Sequence, residues 1–307
     1  MVPPEESAAP DAPVRITDLL RLMRPHQYVK NAFVFLPLFF GQKLMEPHLL
    51  PSVLLAFAAF CLLASAVYVF NDLQDLESDR RHPEKRNRPL ASGAVSPAQA
   101  WRLLSLLAVA GLAAMAPLGG SLLAIAAVYL LLNLLYSLKL KHVAILDIHC
   151  IAVGFELRIF AGGLAAGVVP SHWLVLMTFL IALFLALAKR RDDLVLSQEK
   201  GAPIRASLDG YNFDFINAAM MVMASVTLVC YILYTLSAQV TAYYGSNQLY
   251  LTTLWVLAGF LRYLQVTLVD EKGSGSPAKL VLRDRFLQGV ILLWLGSFFL
   301  LLYVAPH

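Results

Sequence analysis

Apolar runs of about 20 residues recur along almost the whole chain, each long enough to cross a bilayer core of roughly 30 Å as a helix. No other feature constrains the fold as strongly. In lipid the backbone must satisfy its own hydrogen bonds, so such segments are helices. Of the 307 residues, 59% are hydrophobic and 14% charged. Soluble domains carry about 25% charged residues. The expectation is an all-α polytopic membrane protein with nine spans, near residues 31–47, 51–72, 103–119, 121–138, 144–168, 171–188, 214–237, 247–268 and 286–304. Pro37 predicts a kink in the first, and Gly119-Gly120 a tight turn between the third and fourth.

The basic residues test this count. With the N-terminus in the cytoplasm, 22 of the 24 Lys and Arg residues fall in cytoplasmic segments, leaving Lys43 outside and Arg158 within a span. That bias is what the positive-inside rule predicts for an N-in, C-out topology. The net charge of +4 is therefore a topological signal. It does not indicate nucleic acid, which needs a soluble basic face. Cys61, Cys150 and Cys230 all lie in apolar segments and fit no metal or disulfide pattern. Residues 1–14 are rich in Pro, Ala and Glu and read as a disordered tail. Residues 15–307 then form one transmembrane domain.

Chemistry concentrates in the cytoplasmic loops. Directly after the second span comes Asn71-Asp72-Leu73-Gln74-Asp75-Leu76-Glu77-Ser78-Asp79. On a helix, Asn71, Asp75 and Asp79 stack at i, i+4 and i+8, with Asp72 flanking them. Hard oxygen ligands at this spacing repel one another unless a cation intervenes, and they suit Mg²⁺ bridging to substrate phosphates. The bland alternative is a solvated acidic helix end, an uncommon use for carboxylates closing an apolar span. Next comes Lys85-Arg86-Asn87-Arg88-Pro89. Its basic side chains suit phosphate oxygens, although a loop of this kind can also serve topology alone.

Two further regions stand out. Tyr136 and Lys139 precede a span holding Asp147, Gly154, Glu156 and Arg158. Asp147 and Arg158 are eleven residues apart, about three turns, and share a face. Charge inside a span belongs in a bundle interior, as a structural ion pair or as part of a wet site. At the end of the next span, Lys189 and Arg190 are candidates for a second phosphate. Asp193 is placed at i+4 to pair with Lys189 as a local salt bridge. The Gly273-Ser274-Gly275-Ser276 tract reads as flexible, and His26, His82 and His142 show no sign of a general-base role.

With these motifs in order, the chain resembles the UbiA superfamily of intramembrane prenyltransferases. Nine spans, Asn71 to Asp79, and Lys85 to Pro89 carry the likeness. Within the superfamily, Leu20 to Asn31, Leu36 to Leu44, Gly154 to Gly162, Ala188 to Ser207 and Leu282 to Arg285 resemble the decaprenyl-phosphate phosphoribosyltransferase branch. The resemblance implies a helical bundle around a polar cavity open to the cytoplasm, in a bacterial inner membrane. It implies Mg²⁺-dependent transfer of 5-phosphoribosyl from phosphoribosyl diphosphate to a polyprenyl phosphate, serving cell-envelope polysaccharide synthesis. Asn71, Asp72, Asp75 and Asp79 would hold the metal. Lys30, Asn31, Lys85, Arg86, Arg88, Tyr136, Lys139, Asp147, Arg158, Lys189 and Arg190 would bind substrate. Membrane lipids are expected partners, nucleic acid is not, and a homo-oligomer is compatible with the sequence. Quinone-type members carry a second Asp-x-x-x-Asp on the fifth span, where this chain has Asp147 but Ile151. An aromatic prenyltransferase is the nearer rival reading, and a lipid transporter the more distant one.

Overall fold

A computed structural model describes residues 14–81, 85–200, 206–269, 280–281 and 283–304. The expected tail apart from Val14, His82 and the glycine-serine tract at 273–276 lie outside the described residues, as does Leu282.

Among the described residues every regular element is helical. The α-helices are α1 (Ile16–Met23), α2 (Leu36–Phe40), α3 (Leu50–Gln74), α4 (Leu76–Arg81), α5 (Pro97–Met115), α6 (Gly120–Leu138), α7 (Leu146–Ala166), α8 (His172–Lys200), α9 (Phe213–Leu236), α10 (Ala238–Tyr244), α11 (Thr253–Leu268) and α12 (Arg285–Phe299). Eight segments in the described chain are long and apolar enough to span a membrane, carried by α3, α5, α6, α7, α8, α9, α11 and α12. Many side chains turned away from the protein interior are apolar, as Leu106 and Val109 on α5 show at 66% exposure each. A lipid solvent tolerates this where water would not.

The first expected span is not a continuous α-helix. Residues Pro25–Phe35 form a 3₁₀ stretch, followed by the five residues of α2. Two prolines limit the segment. Pro25 offers no backbone N–H, and Pro37 sits in the first turn of α2, where a missing N–H costs least. At about 2.0 Å rise per 3₁₀ residue and 1.5 Å per α residue, the 16 residues of this stretch still cover roughly 30 Å of contour.

The described chain falls into two compact units, Met1–Ala32 with Leu54–Leu130, and Phe33–Val53 with Leu131–His307. In the first, Leu22 of α1, Ala66 and Val69 of α3, and Ala100 and Leu107 of α5 close a core around Leu90 and Val95. These last two belong to the loop between α4 and α5, so the loop is anchored from inside. Ser96 then caps α5, its side chain accepting from Gln99 N while the Gln99 side chain accepts from Ser96 N. That reciprocal pair, with Pro97 at the first helical position, fixes where α5 begins.

In the second unit α7, α8 and α9 pack along their lengths around Ile148, Ala152, Phe184, Leu187, Ile216 and Met220. Glycine permits the closest approach there. A Cβ on Gly162 of α7 would lie 2.0 Å from the Val34 carbonyl oxygen. No rotamer relieves a clash with backbone, so this position holds residues 33–40 against α7.

Candidate functional site

In the first unit, the acidic motif is built at the end of α3. The helix turns loosely at Asp75, but Asp75 N still bonds Asn71 O at 2.9 Å and Asp79 N bonds Asp75 O at 2.8 Å. Helical spacing therefore continues into α4. The structure pairs Asp72 with Asp79, seven residues or two turns apart and so nearly in line. Both are buried, at 3% and 2% side-chain exposure.

Three cations meet these two carboxylates. Arg88 Nη1 donates to Asp72 Oδ1 at 3.0 Å and to Asp79 Oδ2 at 2.6 Å. Arg24 Nη2 donates to the same Asp72 Oδ1, with its guanidinium 5.2 Å from the centre of the Tyr68 ring. Lys85 Nζ lies 3.9 Å from Asp79 Oδ1, an oxygen that accepts no hydrogen bond. Arg88 is placed by the anchored loop, in which its N–H bonds Lys85 O and its carbonyl accepts from Ser92 N, each at 2.9 Å. Arg24 closes α1 in the left-handed region, φ 57° and ψ 57°, immediately before Pro25. An L-residue there costs roughly 1–2 kcal/mol, so this end is held by its surroundings, the Asp72 pair among them.

Beside it, the 3₁₀ stretch is pinned to α3. Tyr28 and Ser65 hydroxyls lie 2.8 Å apart, Ser65 donates to Met23 O, and buried Asn31 donates to Cys61 Sγ at 3.2 Å. Lys30 is half-buried on this stretch and Arg86 is exposed. Asn71, the expected first member of the stacked set, flanks the Asp72–Asp79 line and is half-buried, like Asp75. Among the described residues, no three His, Cys, Asp or Glu side chains converge on one point as a finished metal cage.

In the second unit a different network forms where α7 begins. Asp147 and Arg190 are both fully buried. Arg190 Nε donates to Asp147 Oδ2 at 2.6 Å, and its Nη1 to Asp193 Oδ2 at 3.0 Å. Arg190 Nη2 is buried with no hydrogen-bond partner. The second Asp147 oxygen accepts from Tyr211 Oη at 2.7 Å and from Ile148 N at 2.8 Å. Tyr211 Oη in turn accepts from Ile145 N at 2.7 Å. Burial above all, then the bond to Asp147, raises the Tyr211 pKa and keeps the phenol neutral. Ile145 has φ 71°, a genuine outlier for a β-branched residue. The Tyr211 contact holds that strained turn and aims Asp147 at α8.

Several expectations for this region change. Asp147 is matched to Arg190, while Arg158 on the same face donates to Gly154 O at 2.5 Å and lies 5.5 Å from the Phe155 ring centre. Glu156 does not hydrogen-bond Arg158, because both its oxygens are buried without partners. Two positions apart on a helix, Glu156 and Arg158 point to opposite sides of α7. Arg190, three residues earlier on α8, also bonds Asp193. Tyr136 and Lys189 are half-buried and Lys139 is exposed.

Sequence reasoning passed over two members of these networks. Arg24 sits beside Pro25 in an already notable stretch, but nothing in its spacing points to Asp72, 48 residues away. Tyr211 follows Leu208-Asp209-Gly210, where aromatic-after-glycine is the only local signal.

Residues 34–290 match the UbiA prenyltransferase family. The chain is 36% identical to a decaprenyl-phosphate phosphoribosyltransferase of Mycolicibacterium smegmatis, over 92% of this chain and 91% of that one. It is 32% identical to the enzyme of the same name from Corynebacterium glutamicum, over 98% and 92%. Among solved structures it is similar to a UbiA homolog from Archaeoglobus fulgidus bound to GPP and Mg²⁺. The TM-score is 0.69 at 18% identity, covering 94% of this chain and all of that one. The same homolog has been solved bound to Cd²⁺.

Proposed function

The chain belongs to the UbiA prenyltransferase family, and on that premise we propose that it transfers 5-phosphoribosyl from phosphoribosyl diphosphate to a polyprenyl phosphate, releasing diphosphate. The relatives that match across nine-tenths of its length carry the name of that activity. The observation that supports the site is the buried Asp72–Asp79 pair ringed by Arg24, Lys85 and Arg88. A solvated helix end would not bury two carboxylates and collect three cations around them.

A divalent cation fits these residues. The donors are hard oxygens, and buried Asp79 keeps one carboxylate oxygen without a hydrogen bond. Asn71, Asp72, Asp75 and Asp79 would hold it, as Mg²⁺ by the character of the ligands. When bound, such a cation supplies electrostatic stabilisation of charge growing on a diphosphate leaving group.

The chain's own residues then have defined tasks. Arg88, Lys85 and Arg24 offer donors to diphosphate oxygens, Arg in bidentate fashion. An oxygen of the lipid phosphate attacks the anomeric carbon as the bond from that carbon to diphosphate oxygen breaks. The attacking oxygen is already anionic, so no general base is required. Arg86, Lys30 and Asn31 are further candidates for donor contacts. Tyr136, Lys139, Arg158, Lys189 and Arg190 are candidates for the remaining phosphates, with Asp147 positioning Arg190. The lipid chain would lie along apolar helix faces, gaining about 0.8 kcal/mol per buried CH₂. The setting proposed is the bacterial inner membrane with these loops in the cytoplasm, and the use proposed is cell-envelope polysaccharide synthesis.

The test is a transfer assay on purified protein in detergent with Mg²⁺, labelled phosphoribosyl diphosphate and a polyprenyl monophosphate. Label that becomes organic-extractable, and ceases to do so with EDTA, is the expected result. No transfer, together with turnover of a prenyl diphosphate and an aromatic acid, would replace this reading with the quinone-type one.

A further inference from the structure

One nitrogen atom, Arg88 Nη1, lies within 3.0 Å of Asp72 Oδ1 and 2.6 Å of Asp79 Oδ2. It sits where a cation bridging both carboxylates would sit. Oxygen ligands approach Mg²⁺ to about 2.0–2.1 Å, so the guanidinium and the metal cannot share that position. Asp72 Oδ1 is doubly engaged, because Arg24 donates to it as well.

We infer that Arg24 and Arg88 are resident counter-ions of the acidic pair, and that loading of this site is an exchange. The metal takes the two carboxylates, and the two guanidinium groups turn to the diphosphate. The inference rests on the reading of this cluster as a metal-diphosphate site.

Charge and geometry both support it. With Lys85 counted beside Asp79 in both states, replacing two guanidinium charges by one divalent ion leaves the net charge of the cluster unchanged. An uncompensated buried carboxylate pair would be costly, so the metal-free site needs cations of its own. Both Arg residues can swing without unfolding the site. Arg88 lies in a loop anchored by Leu90 and Val95 rather than by its own side chain. Arg24 ends a helix and lies over the Tyr68 ring, a contact that a rotated guanidinium can keep. Once released, each offers a planar fork suited to phosphate oxygens. The exchange makes metal and diphosphate cooperative: each ligand, by engaging its partners, frees groups the other needs. Such coupling is reciprocal. It also guards the site, since a diphosphate arriving without metal meets arginines already engaged by carboxylates.

The experiment is Mn²⁺ binding to the full-length protein in detergent, read from the free-Mn²⁺ electron paramagnetic resonance signal, with and without inorganic diphosphate. Arg88→Gln removes the competitor but no carboxylate. It is expected to bind Mn²⁺ about tenfold more tightly than the wild type when diphosphate is absent. The tightening that diphosphate gives the wild type should shrink in this variant. Arg24→Gln is expected to shift in the same direction by less, since it engages one carboxylate only. Circular dichroism and size exclusion check that each variant is folded, and should Arg88→Gln fail to fold, Arg24→Gln carries the test. Equal or weaker Mn²⁺ binding by the folded variants would overturn the exchange while leaving the metal site in place. Wild-type Mn²⁺ binding that Asp79→Asn leaves unchanged would remove the metal reading itself, and the inference with it.

Discussion

Asp147→Ala should be among the most destabilising single substitutions in this protein. Its carboxylate is fully buried and accepts from Arg190 at 2.6 Å, Tyr211 at 2.7 Å and Ile148 N at 2.8 Å. Removing it leaves the Arg190 guanidinium, also fully buried, with Asp193 as its remaining carboxylate partner. Breaking a buried pair from one side typically costs about 3–5 kcal/mol. The stranded Tyr211 hydroxyl adds to this, at about 1–3 kcal/mol for an unsatisfied buried donor. The two costs overlap, because both groups can move toward the vacated space. Taking about 4 kcal/mol as the sum, and about 2–4 °C per kcal/mol for large domains, Tm falls by on the order of 10 °C. Asp147→Asn keeps an acceptor and should lose less. The decisive comparison is the double variant Asp147→Ala/Arg190→Met, which removes both charges and should recover part of the loss. The assay is thermal unfolding in detergent at a fixed scan rate. A loss below about 2 °C for Asp147→Ala, or a double variant no more stable than the single one, would refute the account of this pair as a buried, mutually dependent unit.

Asp79→Ala should reduce diphosphate release to background while leaving the helical circular dichroism signal unchanged, and near-normal turnover would sink the metal assignment. Gly162→Ala should destabilise by about 1–3 kcal/mol through overpacking, since its Cβ would meet the Val34 backbone at 2.0 Å. A thermal scan equal to wild type would show that residues 33–40 are free to retreat. Arg262 holds the Asp284 carboxyl below its usual range through two hydrogen bonds, at 3.1 and 2.7 Å. A depressed carboxylate pKa stabilises above the unfolded value and loses that stabilisation as pH falls through the folded one. Asp284→Asn should therefore lower Tm slightly at pH 7, with the gap closing below about pH 4. A gap that persists or widens on acidification would contradict this.

The sequence by itself determined the helical character, because apolar runs this long admit no other backbone in lipid. It grouped residues of the first cluster too, since Asn71 to Asp79 and Lys85 to Arg88 lie close together along the chain, and the structure brings Asp72 and Asp79 to Lys85 and Arg88. Family-level resemblance was legible from the same stretches. Partner choice across distance was not. The structure joins Arg24 to Asp72 across 48 residues and Arg190 to Asp147 across 43. Helical periodicity placed Arg158 on the face of Asp147, but periodicity orders residues only along their own helix. Which neighbour's charge fills that face depends on how α7 and α8 pack. The first expected span shows the same limit. Hydropathy reports that residues 31–47 are apolar, while the 3₁₀ path through Pro25–Phe35 is decided by local proline geometry together with contacts such as Tyr28 to Ser65 and Asn31 to Cys61. Composition records what solvent a segment can tolerate, and packing alone decides which buried charges meet.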